Sequence, residues 1–288
     1  MQYPHIVAVG GLGGSGTRVV ARMLQMLDIY IGDSLNSKLD NLWFTLLFKR
    51  PAWFRAMPQP DEFFFALNLF RRAMEEGLTD NLPNGAEARL RTIMREAEEV
   101  GFFLGVTPAV LTELFHSRRY DRQLFRGWGW KEPNTHVFLP QVAAAIPNLK
   151  YVHVIRNGLD MAFSKNQQQR ANWGAVIGNA DVHTVPLTPS VALDFWITAN
   201  RRAVEIGRVI GPDRFHLLNY DRLCASPGGE IRGLLDFLGI SAPGADPVPL
   251  AELVAPVSVG RFRSHPDHGF TAAQIQAVRD LGFADAVD

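Results

Sequence analysis

Residues 6–27 read IVAVGGLGGSGTRVVARMLQML. The opening Ile6-Val7-Ala8-Val9 is apolar and β-branched, which predicts a buried strand. A glycine-rich stretch follows from Gly10 to Gly16. Val19, Val20, Met23, Leu24 and Leu27 then recur at spacings of three and four, the period of a helix. Strand, tight loop and helix N-terminus together aim backbone N–H groups and the positive end of a helix dipole at one place. That place suits an anion. Glycine lets the chain take positive φ and lets a phosphate approach bare backbone. Ser15 and Thr17 add hydroxyl donors at the same point.

Two common phosphate motifs fail against this loop. The pattern GxxxxGK[ST] requires Lys and then Ser/Thr after its last Gly. Counted from Gly11, the last Gly is Gly16, so Thr17 stands in the Lys position and Arg18 in the Ser/Thr position. Gly11, Gly13 and Gly16 do spell GxGxxG, and Asp33 lies about 20 residues on, where a ribose-binding acid belongs. Asp33, however, falls in a Gly32-Asp33-Ser34 turn with no second strand expected before it.

At 288 residues the chain is long enough for one large α/β domain or two small ones. A formal net charge of +0 does not suggest a bulk nucleic-acid binder. Cys224, the single cysteine, excludes an intrachain disulfide and a multi-cysteine metal site. No apolar run approaches the ~18 residues of a membrane span. The first strand begins too early for a signal peptide, so a cytoplasmic protein is expected.

Residues 40–125 change character. They carry Trp43, Phe44, Phe48, Trp53, Phe54, Phe63, Phe64, Phe65, Phe70, Phe102, Phe103 and Phe115. Helices are expected at 61–76, 86–100 and 107–117, the last opened by Thr107-Pro108 as N-cap and N1. A mostly helical insertion at about 35–125 is therefore expected over the nucleotide end of the sheet. Most of its aromatics are expected in the core, with a minority lining an acceptor pocket together with the loop near Trp173. Further on, Trp128 to Lys131 predicts a short strand ending at Glu132-Pro133, and Thr135–Ile146 a helix. Tyr151–Ile155 predicts a strand that delivers Arg156 to the ligand end of the sheet. Arg156 and Ser164 are eight residues apart. A strand-end arginine and a serine two turns into the next helix can converge on one small anion. A long helix at 190–210, a strand at 215–220 and helices at 229–238 and 271–281 complete the pattern. Core strands are expected at 6–10, at 102–106 or 127–131, at 151–155 and at 215–220. Helices separated by βα units predict an α/β fold, a parallel sheet covered on both faces.

Four features in register resemble the sulfotransferase family that uses 3′-phosphoadenosine-5′-phosphosulfate (PAPS), in its divergent bacterial form. Gly14-Ser15-Gly16-Thr17 resembles the loop that holds the 5′-phosphosulfate. Trp130-Lys131-Glu132-Pro133 is similar to the W-K-(D/E)-P element. Arg156 to Ser164, with Arg-Asn-Gly-Leu-Asp at its start, resembles the element that binds the 3′-phosphate. Leu218 to Leu223, followed by Leu234 to Gly239, resembles the family's late tyrosine-containing stretch. The resemblance implies a P-loop-like three-layer sandwich, with residues 1–288 as a single domain carrying the helical insertion.

The resemblance also implies an activity. A sulfuryl group passes in line, without a metal, from PAPS to a hydroxyl or amine of a small-molecule or glycan acceptor, leaving adenosine 3′,5′-bisphosphate. As in phosphoryl transfer, positioning and positive charge do most of the catalysis. Gly13, Gly14, Ser15, Gly16, Thr17 and Arg18 would hold the 5′ end. Arg156 and Ser164 would hold the 3′-phosphate, with Arg261 or Arg263 beside it. Lys131 would approach the transferred group. The family loop carries Lys or Arg where this chain has Gly14; Arg18, leaning back over the helix N-terminus, is the expected substitute, and Lys131 is another. Glu132 is the first candidate for the acceptor's base, with a structural ion pair or a helix cap as its other reading. Asp33, His116 and His136 are weaker candidates. His265, Asp267 and His268 lack a thiol and a third clear ligand, and are expected to form a solvated turn rather than a metal site. Two other readings of the chain remain open at this point: a P-loop-like nucleotide kinase, and a nucleotide-binding module without catalysis.

Overall fold

The computed structural model describes residues 6–55, 60–99, 105–118, 120–121, 123–178, 184–240, 247–255, 259–266 and 268–284. In chain order the elements are β1 (Ile6–Gly11), α1 (Thr17–Met26), β2 (Ile29–Tyr30), α2 (Leu42–Phe48), α3 (Pro51–Arg55), α4 (Pro60–Glu75), α5 (Ala86–Glu99) and α6 (Pro108–Leu114). They continue with β3 (Gly127–Lys131), α7 (Leu139–Ala145), β4 (Leu149–Ile155), α8 (Gly158–Ala162), α9 (Gln168–Trp173) and α10 (Pro189–Ile210). The last are β5 (Phe215–Asn219), α11 (Tyr220–Ala225), α12 (Pro227–Leu238), α13 (Pro247–Ala251) and α14 (Ala272–Asp280). Short 3₁₀ turns cover Pro133–Val137 and Arg261–Ser264.

The strands form one parallel sheet flanked by helices, in the order β2-β3-β1-β4-β5. This is the expected α/β architecture, and its order removes the dinucleotide reading. In that fold the second strand lies beside the first; here β3 separates them. A strand does precede Asp33, contrary to expectation. It is β2, two residues long, too short to show any period in the sequence. The alternative strand at 102–106 falls mostly outside the described residues, as do Phe102, Phe103 and Asp267.

The chain divides into two compact units, Met1–Ala8 with Leu24–Glu132 and Val9–Met23 with Pro133–Asp288. In the first, β2 pairs with β3 through Ile29↔Gly127 and Tyr30↔Trp128. Its core is aromatic: Phe44 stacks on Phe48 at 4.6 Å and on Trp130 at 5.6 Å, and Phe70 meets Trp130 edge-on at 5.1 Å. Trp43, Phe44, Phe48 and Phe70 are buried, but the expectation that most aromatics here are core is met only in part. Trp53, Phe54, Phe63, Phe65 and Phe115 are half-buried and Phe64 is exposed. Two of the half-buried rings carry cations, Arg50 over Trp53 and Arg89 over Phe65.

In the second unit β4 and β5 pair in parallel from Tyr151↔Phe215 to Ile155↔Asn219. Helix α10 starts as its sequence dictates: the Thr188 hydroxyl accepts from Val191 N–H, and Pro189 takes the first turn. Gly211, at φ 92°, ends it. The helix expected at Thr135–Ile146 is broken. Residues Pro133–Val137 form a 3₁₀ turn, and α7 restarts at Leu139 with Pro140 in its first turn. Proline has no N–H to give and fits only such a start. The strand expected through residue 220 stops at Asn219, whose side chain caps α11 by accepting from Arg222 N–H.

Candidate functional site

The glycine loop joins β1 to α1 inside the second unit. Gly11 and Gly16 fix its path: a Cβ at Gly11 would lie 2.4 Å from Val154 O, and one at Gly16 2.1 Å from the Tyr220 ring. Gly16 also has φ 100°, a conformation that side chains resist. The loop closes on itself through Ser15 N–H to Leu12 O at 3.0 Å. Ser15 is buried, and its hydroxyl finds no partner among the described residues. Buried hydroxyls are normally bonded, so this one suits an incoming acceptor oxygen. Thr17 is buried at the first residue of α1, and Arg18 follows it, exposed.

Arg156, at the end of β4, reaches this loop. Its Nη1 donates to Gly14 O at 3.3 Å, and its own carbonyl accepts from Trp196 Nε1 at 3.1 Å. Ser164 comes to the same residue: a Cβ on Gly14 would stand 4.0 Å from Ser164 Oγ. The serine is not two turns into a helix, as its spacing suggested. Helix α8 ends at Ala162, and Ser164 lies past its C-cap, Phe163. Arg156 and Ser164 thus meet at Gly14 through a loop.

Asp160 ties in the late basic turn. Its carboxylate accepts Gly260 N–H at 2.8 Å and Phe262 N–H at 3.0 Å, and Arg156 Nη2 lies 4.0 Å away. Arg261 and Arg263 sit on that turn, so one buried carboxylate sets both arginines relative to Arg156. Asn157 N–H donates to Asp221 Oδ2 at 2.8 Å, and burial raises the Asp221 carboxyl above its usual range. The Tyr220 hydroxyl, beneath Gly16, is pushed up to about 12, first by burial.

Gln169 carried no signal in the sequence, yet it brackets the loop. Its Oε1 accepts Gly13 N–H and its Nε2 donates to Gly11 O, each at 3.3 Å. Only a contact map reveals this, because the partners are 156 and 158 residues apart. Trp173 itself lies in a helix, not in a loop. It ends α9, fully buried, with Nε1 bonded to Asn134 Oδ1 at 2.8 Å.

The first unit holds Lys131, Glu132, Asp33 and His116. Lys131, at the end of β3, is buried, and its ammonium donates to Asp40 Oδ1 and, at 3.1 Å, to Lys38 O. Asp40 was not legible as its partner. Asn36 organises that loop, its Oδ1 accepting Lys38 N–H and Asp40 N–H and its Nδ2 donating to Asp40 Oδ2. Glu132 is buried next to Lys131. Asp33 accepts Arg118 N–H at 2.8 Å and Ser34 Oγ at 3.2 Å, which makes it a loop organiser.

His116 is exposed. His136, in the second unit, is fully buried; burial, then His153 and Arg202, hold it well below the usual histidine range. His265 stacks on Phe163 at 4.1 Å.

The sulfotransferase family's sequence pattern matches residues 4–244. Among solved structures the chain is similar to the sulfotransferase domain of the olefin synthase from Synechococcus PCC 7002, at 16% identity and TM-score 0.46, over 96% of this chain and 94% of that one. It is similar to a sulfotransferase from Alicyclobacillus acidocaldarius at 16% identity and TM-score 0.46, over 96% and 95%. A sulfotransferase from Mycobacterium tuberculosis H37Rv matches at 13% identity and TM-score 0.41, over 97% and 76%. No curated protein matches. Among the described residues no helix is long and apolar enough to cross a membrane.

Proposed function

The chain belongs to the sulfotransferase family, and from that premise we propose that it transfers the sulfuryl group of PAPS to a hydroxyl or amine of a small-molecule or glycan acceptor. The observation that carries this reading is the meeting at Gly14: Arg156 bonded to its carbonyl, Ser164 beside it, and the unpartnered, buried Ser15 hydroxyl next in the chain. Adenosine 3′,5′-bisphosphate carries phosphates at the 3′ and 5′ positions of its ribose, and this group of residues offers donors for both. Ser15, Gly16, Thr17 and Arg18 hold the 5′ end at the start of α1. Arg156 and Ser164 take the 3′-phosphate, with Arg261 or Arg263 supplementing their charge.

PAPS supplies an activated sulfuryl group whose departure leaves charge on the 5′-phosphate. The chain's part is to orient that end and to balance the charge. Lys131 has three N–H donors and spends donors on Asp40 and Lys38 O; its proposed role is to give the remaining one to the group in transfer. Glu132 is the proposed base for the acceptor's proton. We take the chain to work as one sulfotransferase-like domain, with residues 35–125 selecting the acceptor.

Calorimetric titration with adenosine 3′,5′-bisphosphate, 5′-AMP and ATP–Mg²⁺ tests the donor site. Charge-assisted contacts to one phosphate are worth ~1.5–3 kcal/mol, so a preference of about tenfold or more for the 3′-phosphate is expected. Arg156→Ala abolishes it. Tight ATP binding with no preference for a 3′-phosphate would overturn the reading.

A further inference from the structure

The glycine loop carries no cation between Gly10 and Thr17. A buried one lies beside it. Arg170, on α9, is 5% exposed and lines a cavity of about 20 Å³. Gly13, Asn166 and Gln169 share the polar wall of that cavity, and Leu12 and Trp196 contribute to the apolar one. Space of this size admits one small group.

The guanidinium is poorly settled. Nη2 donates to Val185 O at 3.3 Å, and Nε has no partner among the described residues. No carboxylate among those residues pairs with it. The same unit shows how half-buried guanidinium groups are satisfied from within. Arg202 donates to His136 O at 2.9 Å and to Val137 O at 3.0 Å. Arg214 Nη2 donates to Ala143 O at 2.5 Å and to Ile146 O at 3.0 Å. A buried charge with so few hydrogen bonds is expensive, and a guanidinium beside a small cavity matches an oxyanion in both charge and geometry.

We propose that Arg170 and the cavity wall formed by Gly13, Asn166 and Gln169 are a binding site for one small oxyanion, sulfate or carboxylate in kind. This deepens the sulfotransferase reading. The oxyanion is either the sulfuryl end of the donor or a carboxylate on the acceptor. The choice between these sources rests on that reading; the site itself does not.

The experiment titrates sodium sulfate and sodium acetate, at constant ionic strength in sodium chloride, into protein saturated with adenosine 3′,5′-bisphosphate. The nucleotide fills the loop and the Arg156 site, so a remaining saturable site reports the cavity. Wild type binds sulfate, and Arg170→Gln weakens it about tenfold or more. Asn166→Asp, at an exposed position, weakens it in the same direction by adding negative charge to the wall, and stays informative if Arg170→Gln does not fold. Binding of sulfate alone assigns the site to the donor's sulfuryl end; binding of acetate as well assigns it to an acceptor carboxylate.

The proposal is overturned if the saturated wild type binds neither ion. It is equally overturned if sulfate affinity is unchanged in Arg170→Gln or, should that variant not fold, in Asn166→Asp. If the bisphosphate binds no better than 5′-AMP, the donor reading fails separately, and sulfate titration of nucleotide-free protein still decides Arg170.

Discussion

Lys131 and Arg170 are both buried cations, and the two regions that hold them treat the charge in opposite ways. In the segment 24–132, Lys131 has a carboxylate and a carbonyl of its own: Asp40 and Lys38 O. In the segment 133–288, Arg170 has one neutral carbonyl among the described residues, Val185 O. Lys131 has its charge balanced inside the fold and keeps one donor to offer. Arg170 has neither a counterion nor a set of carbonyls like those around Arg202 and Arg214 among the described residues, which leaves its charge for something that binds. Burial alone therefore does not tell a charge balanced within the fold from one that is not; the partners do.

The largest effect that would break this comparison is at Asp40. Asp40→Asn leaves the Lys131 ammonium buried with the Lys38 carbonyl as its remaining described partner, and removing one member of a buried pair costs about 3 kcal/mol. Lys131→Met removes the charge as well and is expected to cost less. The double variant is expected to be more stable than the sum of the single losses predicts, because the pair acts as a unit. Urea unfolding of the four proteins measures this. Equal, additive losses would show that Lys131 does not depend on Asp40.

His153 sharpens the comparison with a group that is buried in the neutral state. Its Nδ1 faces Tyr151 Oη at 3.0 Å and its Nε2 faces Asn200 Oδ1 at 3.0 Å. Asn200 Nδ2 in turn donates to Trp196 O, which leaves its Oδ1 as an acceptor and places the ring proton on Nε2. Burial lowers the His153 pKa to about 4, with the Asn200 bond opposing the shift. The unfolded chain therefore binds the proton first as pH falls. The stability that His153 contributes is fully present above about pH 6.5, the ordinary histidine value, and is lost as pH falls toward about 4. At pH 5 the loss is about 2 kcal/mol. Urea midpoints between pH 7.5 and pH 5 check it: wild type loses this much more than His153→Gln, and equal slopes would refute the buried neutral state.

How much of this was legible follows from the range of each signal. Strands β1, β4 and β5 are apolar runs, and α6, α10 and α14 announce themselves by caps at Thr107, Thr188 and Thr271. These are local patterns, and the sequence displays them. Motif spacing put Ser15, Arg156 and Ser164 forward as candidates that the fold brings near Gly14, although the loop that carries Ser164 there was not legible. Asp40, Asp160 and Gln169 act through partners far along the chain: Lys131 is 91 residues from Asp40, Phe262 is 102 residues from Asp160, and Gly11 is 158 residues from Gln169. No periodicity links such pairs. They become visible only when topology brings the segments together.

The smallest expected effect is the most discriminating. If Arg170 is kept for a ligand, the ligand-free protein gains little from its charge, because the guanidinium is buried with a single neutral acceptor among the described residues. Arg170→Gln removes that charge and keeps a polar head, so the two opposing terms, lost packing of the arginine stem and relief of an unpaired buried ion, nearly cancel. Stability in urea without sulfate is expected to stay within about 1 kcal/mol of wild type, well below the loss at Asp40. Added sulfate is expected to stabilise wild type and not the variant, because an ion stabilises only the folded state that binds it. A loss in the variant as large as that of Asp40→Asn, independent of sulfate, would show that the Arg170 charge is balanced within the fold, as that of Lys131 is by Asp40, and erase the contrast between the two regions.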